Sequence, residues 1–231
     1  MELKKVSIVL SRHLEIKELE VREYIIEEAD KLFCQYGFKS VTMDDIAKHL
    51  GMSKKTIYQN FSDKDELVTI LIKEKLAAQK CLMNEAYNNA EDAIEEIFLM
   101  IGSIHEVLNN INPKLFYDLQ KYHTQAWLFF KEFRDKAIYE TINNNLKRGV
   151  KEGLYRADIN IDILTQLRLD QSDLTLHQHE QYTMNKYNIA QVMVELTEHF
   201  LYGVCSLTGL GHIYANKMKL QTQNTPTEIN N

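Results

Sequence analysis

The sequence predicts an all-α protein. Three observations carry that prediction. Only 8 glycines and 2 prolines interrupt 231 residues, too few breakers for a chain of many strands and turns. Apolar residues recur at the 3.6-residue period of a helix over long stretches. Capping residues and glycines fall where those stretches end. The chain divides accordingly into an N-terminal leader (1–17), a three-helix domain with a helix-turn-helix pattern (18–66), a helical body (67–215) and a polar tail (216–231).

The leader carries Lys4, Lys5, Arg12, His13 and Lys17 against Glu2 and Glu15. It reads either as an extra helical turn or as an arm touching a minor groove or a phosphate. The first helix runs to about Gln35, with Ile25, Ala29, Leu32, Phe33 and Tyr36 on one face, and Gly37 ends it. Thr42 has the chemistry of an N-cap for the amide of Asp45, and Val41 and Ile46 stand at the staple positions around it. Asp44 and Asp45 put negative charge in the first turn, where the helix dipole favours it. Gly51 stops this helix, because glycine turns left-handed without a steric penalty. Ser53 caps the next helix, Lys54 to Asn60, whose Ile57 and Phe61 point inward at i, i+4 spacing. Ser62 is placed to cap a third helix, with Asp65 at the capping-box position.

Lys54, Lys55, Thr56, Tyr58 and Gln59 are left on the outside of the short helix. Lys and Tyr suit phosphate oxygens, while Thr and Gln suit base edges and the thymine methyl. Any one of these residues alone is an ordinary solvated side chain. Together, on the second helix of a helix, glycine turn and helix, they predict a DNA-reading surface. The candidate DNA contacts are Thr42, Ser53, Lys54, Lys55, Thr56, Tyr58, Gln59, Asn60 and Lys64.

Residues 22–67 resemble the DNA-binding domain of the TetR family of bacterial repressors. The resemblance rests on Ala29, Leu32, Phe33, Tyr36, Gly37 and Phe38, then Thr42, Ile46, Ala47, Gly51, Ser53, Thr56, Tyr58 and Phe61, and last Ser62, Lys64, Glu66 and Leu67. The chain departs from that family pattern at Lys55, where a small residue is usual, and at Asn60, where His or Tyr is usual. Both departures fall on the expected DNA surface and bear on which operator is read. A looser likeness to the family lies in Gly149, Gly153, Tyr155, Arg156 and Asp158, which end one long helix before the next.

In the body, a long helix runs on from Ser62 through Tyr87. Residues 90–110 form a second helix, with Ile94, Ile97, Phe98, Ile101, Ile104 and Leu108 inward. A short helix (Lys114 to Tyr122) and a longer one (Gln125 to about Gly149) come after Pro113. Asp158 or Asn160 caps a helix reaching Leu176, residues 177–188 read as a loop, and a last apolar helix spans about Asn188 to Leu207. Eight aromatic residues between Phe116 and Tyr139 crowd two consecutive helices, which reads as core or as the wall of a cavity. The family resemblance implies a ligand-binding and dimerisation domain here. The candidate pocket residues are His105, Gln120, His123 and Trp127. The resemblance also implies a homodimer through the last two helices, a palindromic double-stranded DNA operator, and release by a small-molecule effector.

Charge and motifs narrow the function classes. Net charge is −6 overall, yet Ser53 to Lys64 carries three lysines against one acid, so basic character is local and the phosphate footprint small. Cys34, Cys81 and Cys205 are far apart and form no CxxC pair, as expected of reduced thiols in a cytoplasmic protein. The chain has no G-x-S-x-G, H-E-x-x-H or Gly-rich phosphate loop, so neither an enzyme nor a cofactor is expected. His177 and His179 would point apart on a helix, and no metal site is expected. The remaining alternative is a helical interaction module or an uncharacterised helical enzyme without DNA binding.

Overall fold

The structure, a computed structural model, describes residues 20–109, 112, 114–177 and 187–223, and their side chains except at 104–107, 109, 176–177 and 220–223. The leader, residues 178–186 with His179, and the end of the tail lie outside the described residues. The helices are α1 (20–36), α2 (Met43–Leu50), α3 (Lys54–Asn60), α4 (Lys64–Asn89), α5 (Ala93–Asn109), α6 (Lys114–Tyr122), α7 (Thr124–Phe133), α8 (Tyr139–Lys151), α9 (Ile161–His177), α10 (Ile189–Val204) and α11 (Leu207–Gln223). Among the described residues there is no strand, only an isolated bridge between Tyr155 and Cys205. The all-α prediction therefore holds. The chain forms two compact units, one of residues up to 74 with 114–129, the other of 75–113 with 130 onward.

The first unit is built on Ile25, Ala29 and Phe33 of α1, Ile46 of α2, Ile57 of α3, Phe61, and Leu67 and Val68 of α4, all buried. The buried stripe of α1 includes Ile26, whereas Tyr36, expected inward, is 52% exposed. Its place is the last residue of α1, and Phe38 fills the inward position instead, 5.0 Å from the Phe33 ring. Helix α6 and the start of α7 belong to this unit, although the sequence reading groups them with the body. Two side chains account for it. The buried Asp118 carboxylate accepts the Lys39 backbone N–H at 2.8 Å, and the buried His123 ring stands edge-on to Phe38 at 5.5 Å.

The second unit packs Ile94 and Phe98 of α5, Leu146 of α8, Leu201 and Val204 of α10 and Ile213 of α11 around Leu154 and Tyr155. The expected single helix from Gln125 to Gly149 carries a π-helical turn at Arg134–Ile138, where Arg134 pairs with Asp135, Asp170 and Asp173. One such turn inserts a residue and rotates the faces of the helix beyond it. After α8 the chain is locked by Tyr155, whose hydroxyl donates to Asn145 at 2.9 Å. Its ring lies so close over Gly149 that a Cβ there would sit 2.1 Å from a ring carbon, which is why that position has no side chain. Asn160, rather than Asp158, caps α9, accepting the Ile163 N–H at 3.1 Å. Asn188 opens α10 with a full capping box to Gln191.

The apolar helix expected to end near Leu207 stops at Val204. Cys205 is extended, and the Ser206 hydroxyl accepts from the Gly209 N–H at 3.1 Å to start α11 while donating to the Gly153 carbonyl at 2.7 Å. Helix α11 then continues past Asn216, where the sequence reading starts the polar tail. Asn216 is buried, and its amide donates to the His212 carbonyl at 3.0 Å.

Gly149→Ala is expected to cost about 2–3 kcal/mol in urea unfolding, since overpacking forces the Tyr155 ring off its seat. Gly102→Ala, with nothing within 4 Å of its Cβ, is expected to leave stability unchanged or raise it by up to about 1 kcal/mol.

Candidate nucleic-acid interface

The site is a frame that holds one short helix outward. Thr42 and Asp45 form the predicted capping box at the start of α2. The Thr42 hydroxyl accepts the Asp45 N–H at 3.1 Å, and the Asp45 carboxylate accepts the Thr42 N–H at 2.9 Å. The bonds from Thr42 hold the Asp45 carboxyl below the usual carboxylate range. Gly51 has φ +64° and ends α2 as expected. Ser53 accepts the Thr56 N–H at 3.1 Å and starts α3.

The start of α4 differs from the sequence reading by one residue. Asp63, not Ser62, is the cap, and it accepts the Glu66 N–H at 2.8 Å. Glu66 reaches back to the Ser62 N–H and hydroxyl, both at 2.8 Å. Asp65, expected in the capping box, is thereby free to meet His123 Nδ1 at 2.5 Å.

Of the nine candidate contacts, Lys54, Lys55, Tyr58 and Gln59 stand exposed on α3, and Thr42 and Ser53 are exposed at the caps. Thr56 and Asn60 are half-buried. Lys54 is tied to Asp44 of α2 at 2.5 Å, which leaves Lys55 as the cation on α3 with no described partner. Asn60 donates to the Thr56 carbonyl at 2.8 Å. Lys64 donates to the Phe38 carbonyl, and burial pushes its ammonium below the usual lysine range.

Arg22 is a positioning residue that sequence reasoning missed. Its guanidinium donates to the Asn60 carbonyl at 2.7 Å, pairs with Glu66 at 3.3 Å and lies 4.6 Å over the Phe61 ring. It thus ties α1 to the end of α3 and the start of α4. Its partners lie 38 and 44 residues away, so no local pattern could have marked it.

Among the candidate pocket residues, His105 has a side chain outside the described residues. Gln120 is exposed on α6, Trp127 is half-buried on α7, and His123 between them is buried in the first unit. His123 Nε2 is buried without a hydrogen-bond partner among the described residues. Burial, offset in part by the bond from Asp65, pushes its imidazole below the ordinary histidine value.

A capped helix, a left-handed glycine turn and an exposed polar second helix define the class of helix-turn-helix DNA-binding regulators. Residues 25–69 match the family of bacterial regulatory proteins of the tetR family. The chain is 36% identical over 127 residues, 54% of its own length, to the uncharacterised HTH-type transcriptional regulator YvaF of Bacillus subtilis, and spans 66% of that protein. A TetR-family transcriptional regulator from Agrobacterium tumefaciens shares the fold with a TM-score of 0.67 at 14% identity, covering 82% of this chain and all of that one. So does the transcriptional regulator FadR of Bacillus subtilis in complex with stearoyl-CoA, with a TM-score of 0.59 at 21% identity, covering 78% of this chain and 97% of that one. Residues 25–69 are thus a DNA-binding domain of the bacterial tetR family, and the relatives the chain resembles are transcriptional regulators.

The His123 environment gives stability a pH dependence. Folding holds this imidazole neutral below its ordinary pKa of about 6.5, so the unfolded chain binds more protons in that range. The contribution is complete above about pH 6.5 and is lost as pH falls through the lowered folded value. His123→Gln is expected to lose less stability than the wild type between pH 7 and pH 5, measured by urea unfolding at each pH.

Proposed function

We propose that this chain is a ligand-responsive transcriptional repressor that binds a palindromic operator as a homodimer and is released by a small molecule. The observation that carries the reading is the outward face of α3, with Lys55, Tyr58 and Gln59 exposed on a helix held by Ile57 and Phe61. Lys55 and Tyr58 would meet phosphates or base edges, with Gln59 and Thr56 reading bases. Thr42, Ser53 and Lys64 would lie at the flanking backbone, and Asn60 would set the end of α3. A seven-residue helix reads only a few base pairs, so two related by a twofold axis would read half-sites roughly 34–36 Å apart, or a multiple of that.

Residues 18–66 would supply the reading head and 67–215 the ligand-binding and dimerisation domain, the protein working in the cytoplasm. No helix among the described residues is long and apolar enough to cross a membrane. The complex of FadR with stearoyl-CoA supports a small-molecule effector. Helix α4 is continuous from Lys64 to Asn89 and would carry effector binding to the spacing of the two heads. The coupling is then reciprocal, each ligand weakening the other by the same factor.

Electrophoretic mobility shift with the DNA upstream of the chain's own gene tests this reading. Binding that weakens steeply with salt is expected, and absence of binding, or binding indifferent to salt, refutes it. Lys55→Gly is expected to change sequence preference by about 1–3 kcal/mol at one base pair. A uniform loss across all sequences would make Lys55 a phosphate contact instead.

A further inference from the structure

The second unit contains a buried cation that no described residue neutralises. Arg168, in the middle of α9, is more than nine-tenths buried. Its Nη2 donates to the Thr197 hydroxyl of α10, and the guanidinium lies 5.7 Å from the Phe200 ring centre. Nη1 is buried with no partner among the described residues. The acids on its own helix are engaged elsewhere: Asp162 accepts from Asn143 at 3.3 Å, and Asp170 and Asp173 both pair with Arg134. On α10, Glu198 pairs with Lys217 at 2.6 Å and Glu195 is exposed. Burial, with no charge opposing it, pushes the guanidinium down to about 10.

A buried charge left unpaired is among the costliest features a fold can keep. A neutral donor would serve Thr197 equally well. We propose that Arg168, oriented by its bond to Thr197 and with Nη1 left to donate, is a receptor for the oxyanion of a small apolar acid, a carboxylate or phosphate monoester carried on a hydrocarbon body. Arg presents a planar fork of donors matched to such a group. The Phe200 ring beside it suits a hydrocarbon rather than a sugar or peptide. A partner subunit's carboxylate does not fit the same place. The outward stripe of α9 is Ile163, Leu167 and Leu174, at 64%, 46% and 50% exposure, and a chain docked there meets those residues while Arg168 faces inward.

The proposal rests on the ligand-responsive reading but is tested apart from it. Thermal unfolding of the full chain is followed with decanoate, decyl phosphate, decanol and inorganic phosphate. Decanoate or decyl phosphate is expected to raise the midpoint, and decanol and inorganic phosphate to do so far less. Arg168→Gln keeps a donor for Thr197 without the charge. It is expected to match or exceed the wild-type midpoint without probe, and to bind the acid about ten-fold or more weakly, as loss of a charge-assisted hydrogen bond implies. Arg168→Lys keeps the charge and is expected to retain part of the response, which guards against a folding defect in the first variant. A wild type indifferent to both acids, or an Arg168→Gln variant stabilised by them as strongly as the wild type, overturns the proposal. If stabilisation depends on Arg168 while the operator shift is untouched by the acid, the oxyanion site stands and release by effector falls.

Discussion

A helix of seven residues does not hold its shape in water, because nucleation costs more than so few hydrogen bonds return. Helix α3 is that short, and its orientation is imposed from below by the burial of Ile57 and Phe61. Everything around it serves that constraint. Gly51 sets the entry angle, Ser53 supplies an acceptor for the first free amide, and Arg22 ties down the last carbonyl while lying over Phe61. The exposed side chains are then free of structural duty, apart from Lys54, which Asp44 already holds. The short helix gains from tertiary packing what it lacks in length, and the reading face gains a fixed direction.

The second unit solves a different problem, packing several long helices against one another. Its solution is polar and buried. Tyr155 reaches Asn145 and the Ala93 carbonyl, while Arg148 holds the buried Glu96 at 3.2 Å and Glu152 at 2.8 Å. Burial raises the Glu96 carboxyl against the pull of its partners. Such a network is stable only when every member is satisfied, and these members are. Arg168 lacks a charged partner among the described residues of the same unit, and that contrast sets it apart from structural arginines such as Arg148.

The legible parts of this fold were those decided within a few residues. Thr42, Gly51 and Ser53 show their roles through short-range capping chemistry, and the burial of Ile94 and Phe98 in α5 and of Ile189, Met193 and Val204 in α10 comes from period alone. The misread parts turn on contacts between distant residues. Ser62 and Asp63 both have cap chemistry by sequence, and in the fold Asp63 takes the Glu66 N–H while Asp65, expected in the capping box, turns to His123. The π turn at Arg134 depends on acids of another helix, Asp170 and Asp173, and the break at Cys205 on a bridge to Tyr155. For the same reason Arg22 and Arg168 were invisible. An arginine's sequence neighbours do not say whether its charge will be matched after folding.

The Asp118 carboxylate on the Lys39 backbone amide has a consequence for modularity. The reading head is discontiguous in sequence, since its compact unit needs residues 114–129 as well as the helices before residue 74. A graft of the first 74 residues onto a foreign body would carry the whole recognition motif. It would leave the Lys39 N–H without its acceptor and strip the cover from Phe38 that His123 now provides. Regulators of this design are therefore poor donors of portable cassettes. If the outward face of α3 reads the operator as proposed, new specificities are better made by rewriting that face in place than by exchanging domains at the chain's apparent boundary.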